Sequence, residues 1–216
     1  MPAGPGGMQG AFLGFLLLWV VMMAAMMLPS VAPVASVYLR VVRSRSHGLP
    51  AVGRITGLVG GYLAAWAGFG VLAFVVAQVE RRLTMPHPAV ATAIAAGSLV
   101  IAGLYQFTPL KRRCLRHCRS PLGFLLHFGN YSGRLRDLRV GLYHGGYCVG
   151  CCWSLMLVLV AVGVMNMAWM VGLAGVVFLE KTWRYGRQLG LAVGVALLAL
   201  GALVPWHPGL VGVMAS

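Results

Sequence analysis

Cys148, Cys151 and Cys152 stand within five residues of one another, and no other group in this sequence is better placed to do chemistry. If a helix begins near residue 141, His144, Cys148, Cys152 and Met156 recur at every fourth position and Cys151 lies three after Cys148, so all five share one face. A histidine, three thiols and a thioether on one stripe form a soft-ligand surface that selects copper(I) or zinc over magnesium or calcium. The competing account is packing, since a free cysteine is also a small buried hydrophobe.

Two further groups carry the same chemistry. Met22 and Met26 form one i,i+4 pair and Met23 and Met27 another, a thioether strip just before Pro29. Methionine fills gaps in apolar cores as readily as it ligates a metal. Cys114 and Cys118 lie at i,i+4 among Lys111, Arg112, Arg113, Arg116 and Arg119. They are suited to holding a metal or forming a redox pair, and the neighbouring cations are expected to lower their thiol pKa values. Glu180 is one of only three acids. It is expected either to pair with Arg184 one turn on or to face the bundle as a ligand or proton acceptor.

The elements that position these groups follow from composition. Of 216 residues, 60% are hydrophobic and 9% charged, with a net charge of +14. Such a charge raises nucleic acid as a partner. The bases, however, fall in short blocks between charge-free runs, the pattern imposed by anionic lipid and the positive-inside rule, which argues against a nucleic-acid partner. Five charge-free runs reach the roughly 20 residues that a crossing needs. One of them, Val140–Leu179, is long enough for two, with a natural turn at Gly163–Asn166. The expectation is an all-α polytopic membrane protein, a single domain over residues 1–216. Its six-helix transmembrane bundle has helices near 12–39, 56–79, 89–109, 141–163, 167–180 and 188–205.

Fifteen of the seventeen basic residues fall in 40–54, 110–139 and 180–187, against Arg81 and Arg82 elsewhere. This makes 110–139 a basic cytoplasmic loop and puts both termini outside. The first apolar segment lacks a basic n-region and is too long for a cleavable signal peptide. Pro29 and Pro33 are expected to kink or break the first helix. The pairs Gly57/Gly61, Gly141/Gly145, Gly146/Gly150 and Gly186/Gly190 are helix-packing signals. No nucleotide-binding loop or lipidation box is present.

Several of these segments together resemble the bacterial family of predicted metal-binding integral membrane proteins (domain of unknown function 2182). They are Met22-Met-Ala-Ala-Met-Met-Leu-Pro29, Lys111 with Cys114 and Cys118-Arg-Ser-Pro121, His144-Gly-Gly-Tyr-Cys148-Val-Gly-Cys-Cys-Trp153 with Met156, Gly163-Val-Met-Asn-Met-Ala-Trp-Met170, and Glu180-Lys181. The cysteine motif is the most specific part. The resemblance implies a six-helix membrane protein that binds metal, without a settled reaction or substrate.

The function expected is copper(I) binding with transfer or storage, zinc being the alternative ion. Cys148, Cys151 and Cys152 supply thiolates; Met26, Met27 and Met156 supply thioethers between the first and fourth helices. Met165, Met167 and Met170 near the outer turn, and Cys114 and Cys118 inside, are exchange stations for a copper carrier protein. The setting is the bacterial cytoplasmic (inner) membrane, with the lipid bilayer as partner and either a homo- or hetero-oligomer compatible. The alternatives are a membrane thiol-disulfide oxidoreductase linking the two cysteine groups, and a metal-dependent membrane enzyme subunit. Intramembrane histidines and carboxylates are too few to favour the latter.

Overall fold

The computed structural model describes residues 5–45, 49–85, 88–120, 135–162 and 167–206. Among these residues the chain is helical without strands: α1 (Pro5–Arg45), α2 (Leu49–Thr84), α3 (Pro88–Gln106), α4 (Pro109–Arg119), α5 (Arg136–Val162), α6 (Met167–Thr182) and α7 (Gly186–Leu203). Five stretches are long and apolar enough to cross a membrane: Gln9–Ala32, Val52–Thr84, Ala89–Gln106, Arg136–Ala161 and Gly186–Leu203. This is consistent with a multi-pass membrane protein. With its 16 residues, α6 rises about 24 Å, short of a hydrocarbon layer roughly 30 Å thick. The turn expected at 163–166, with Met165, lies outside the described residues, as does most of the middle of the basic loop.

The first two helices overrun their expected ends. Charged residues mark where the chain leaves lipid, but they do not stop a helix, so Arg40, Arg43, Arg45 and Arg54 lie on α1 and α2 instead of in a loop. Nor is α1 broken at Pro29 or Pro33; it runs through both.

The centre of the bundle is α5. In its most apolar stretch 61% of residues are buried, against 28% to 33% in the other four. The outer faces carry exposed Leu17, Val21, Leu72, Val75, Ile101, Leu104, Val171 and Val195, an apolar surface suited to acyl chains. Against α5 lies α2, so close that a Cβ on Gly141 would collide with the Leu58 carbonyl and one on Gly61 with the Leu138 carbonyl. The Gly57/Gly61 and Gly141/Gly145 pairs thus face one another, which lets the two backbones approach as small-residue stripes do in membranes.

Polar contacts tie the basic segments together in two groups. Tyr38 donates to Asp137, and Arg54 reaches the same carboxylate at 3.3 Å, tying the end of α1 and the start of α2 to the start of α5. Lys111 of α4 meets Glu180 at the end of α6, and Arg119 donates to the Trp183 carbonyl at 2.6 Å. Lys181, near the end of α6, reaches Cys148, midway along α5, so α6 runs back beside the second half of α5.

Candidate metal centre

The sulfur atoms of Cys148, Cys151 and Cys152 all lie within 4.8 Å of one another. This closeness comes from helix geometry, since positions i, i+3 and i+4 bring three side chains onto one patch. The Cys151 and Cys152 thiols both point back to the Cys148 carbonyl, at 3.1 and 2.8 Å. All three residues are at most 1% exposed, on the most buried helix of the bundle. The patch therefore faces protein and not lipid.

Three other helices complete the surroundings of Cys148. From α2, the Tyr62 hydroxyl lies 2.9 Å from its sulfur. From α6, the Lys181 ammonium donates to the same sulfur at 3.0 Å and to Ser30 Oγ of α1 at 3.1 Å. Ser30 in turn donates to the Met27 carbonyl at 2.7 Å. Met22, Met23, Met26 and Met27 are buried in the same apolar cluster as the three cysteines, and so is Met156, one turn beyond Cys152. The thioether strip and the thiol patch thus belong to one core, joined by the Met27–Ser30–Lys181–Cys148 chain.

The other candidates divide. Cys118 does not stand apart as a separate station, because its thiol hydrogen-bonds to Cys151. Cys114 packs on Gly150, where a Cβ would come within 3.0 Å of its sulfur. The short helix α4 brings them there. It is capped at Thr108, starts with Pro109, and buries Lys111, Cys114, Leu115 and Cys118 while Arg112, Arg113 and Arg116 stay exposed.

This split overturns the expected lowering of the two thiol pKa values. Burial pushes Cys114 up, and the bond to Cys151 followed by burial pushes Cys118 well above the usual cysteine range. The arginines lie on the opposite face of the helix and do not set the thiols' environment.

His144 is buried, with its ring 6.2 Å from that of Tyr62, and both line a small apolar cavity with Leu28, Val31, Leu58 and Gly141. It shares the cysteine face but does not join the closely spaced sulfur group. Glu180 is also buried, but both its oxygens accept from Lys111, at 2.9 and 2.8 Å. The expected partner Arg184 instead bonds to and lies over Tyr185. Lys111 also donates to Gln106. Met167 is 68% exposed and Met170 is half-buried.

Lys181, Tyr62 and Ser30 contact the site without having been singled out by residue type. The available signal was small: Lys181 is adjacent to a rare acid, and Ser30 sits beside the methionine strip.

The donor set fits a soft ion. Metal–sulfur bonds of about 2.3 Å put three ligands in a plane roughly 4 Å apart, within the observed spacing. All five cysteines are free thiols. The sulfur-rich surroundings favour copper(I) or zinc over hard ions. A family model described as PpoB2, copper chaperone, matches residues 16–204, and so covers the motif segments of the resemblance up to Glu180-Lys181. No curated protein and no solved structure matches the chain.

Proposed function

The chain belongs to the PpoB2 family of copper chaperones, and from that premise we propose that it takes copper(I) as cargo inside the membrane and hands it on. Cys148, Cys151 and Cys152 bind the ion, and Met26, Met27 and Met156 supply thioethers as it moves. Cys118, hydrogen-bonded to Cys151, exchanges it with the face that α4 presents. Thioethers bind copper(I) without giving up a proton, whereas zinc prefers thiolates and imidazole. A strip of four methionines in the same core as three thiols therefore favours copper.

In this proposal the chain crosses the bacterial cytoplasmic membrane six times with both termini outside. The approach of Lys181, near the end of α6, to Cys148, midway along α5, supports it, because α6 then runs back beside α5 as a returning crossing would. The arginines of α4, with Arg187, surround one groove, a surface suited to an acidic copper carrier.

The observation that carries the proposal is the buried trio of free thiols within 4.8 Å. Metal analysis of purified protein loaded anaerobically tests it. Replacing Cys148, Cys151 and Cys152 together with serine removes the bound copper and its transfer to a soluble thiol acceptor. Unchanged stoichiometry in that variant contradicts the proposal.

A further inference from the structure

Lys181 is only 8% exposed, and its ammonium touches a thiol of the candidate metal centre. A cation is a costly group to bury and an odd neighbour for a site that accepts cations. It is also held in place, because Ser30, itself 5% exposed, accepts its second bond. The buried charges Lys111 and Glu180 are paired with one another. Among the described residues Lys181 is thus a buried cation beside the sulfur group with no carboxylate in ion-pair contact.

Three thiols alone do not discriminate well between copper(I) and zinc, since both are bound by thiolates. We propose that Lys181 makes this pocket select a monovalent over a divalent ion. The inference rests on the metal-binding function proposed above and adds the device that sets its ion selectivity.

The physics is a difference of one charge. An ion bonded to the Cys148 sulfur at about 2.3 Å lies roughly 4 Å from an ammonium that is itself 3.0 Å from that sulfur. The ammonium repels each unit of charge on the ion equally, so a divalent ion loses twice what a monovalent one does. The attraction to the thiolates is unaffected by this comparison. At the effective dielectric of protein interiors, one unit-charge repulsion at that distance amounts to a hundredfold to a thousandfold, on the order of magnitude, in relative affinity.

The test uses the full chain, purified anaerobically, with copper(I) and zinc(II) affinities measured by competition against chelators. Lys181→Gln and Lys181→Leu remove the charge without adding a sulfur donor, and Lys181→Arg retains it. Either neutral variant suffices once helical content shows it is folded. The expected result is a fall of about a hundredfold in preference for copper(I) over zinc in the neutral variants, with the preference kept in Lys181→Arg. Equal changes in the two affinities overturn the inference while leaving the copper site standing. A parent chain that takes up no copper(I) removes the proposed function and this inference with it.

Discussion

Glu180→Gln tests how α6 is held against α4, and therefore how Lys181 reaches the thiols. The carboxylate and its partner Lys111 are 2% and 3% exposed. Both carboxylate oxygens are engaged, at 2.9 and 2.8 Å. Removing the negative charge strands an ammonium in a buried site, a mechanism that costs about 3–5 kcal/mol. Glutamine keeps an acceptor for Lys111, and Gln106 also accepts from it, so the low end, about 3 kcal/mol, is expected. Adding Lys111→Met removes the stranded charge and should recover most of that loss, giving a coupling of about 2–3 kcal/mol. Reversible unfolding in mixed micelles measures all four corners of the cycle. Copper affinity should fall in the single variant and recover in the double one. Additivity within about 0.5 kcal/mol would show that the two residues do not interact, and the proposed coupling of α4 to α6 would be wrong.

Gly141→Ala should separate α2 from α5, since its Cβ meets the Leu58 carbonyl; a loss of about 1–3 kcal/mol is expected, together with weaker copper binding, and an unchanged melting temperature would contradict the close approach. Tyr62→Phe removes the hydroxyl at 2.9 Å from Cys148 and should weaken copper(I) binding by roughly tenfold, the worth of one hydrogen bond to a charged group. The raised pKa of Cys118 makes its protonated form the one the fold favours. Because only the thiolate reacts, alkylation of Cys118 in the metal-free protein should be negligible at neutral pH and climb only above the range of an ordinary cysteine peptide. A midpoint below that of the peptide would restore the view that the α4 arginines activate it.

The helices were legible because they coincide with long apolar runs of the length a crossing needs, which charge-free stretches report directly. Their ends were less so, since a charged residue does not stop a helix, and Arg43 and Arg54 lie within α1 and α2. The cysteine face was legible for a similar reason: spacing within one helix decides which side chains are neighbours. Contacts between helices depend on how each is rotated about its axis, which local spacing does not encode. Lys181 looked like one more cytoplasmic base, and Glu180 had an obvious partner in Arg184 one turn away. The structure instead pairs Glu180 with Lys111 and turns Lys181 to Cys148. Likewise, the cations around Cys114 and Cys118 are close in sequence but occupy the opposite face of α4.

The central claim is that copper(I) sits among sulfur atoms in the buried core, and X-ray absorption at the copper edge addresses it most directly. For the parent protein loaded anaerobically, the prediction is an edge characteristic of the monovalent ion and a shell made of sulfur alone, lost in the variant with serine at positions 148, 151 and 152. Nitrogen or oxygen neighbours in the parent, or the same spectrum in the serine variant, would place the metal elsewhere and contradict the assignment.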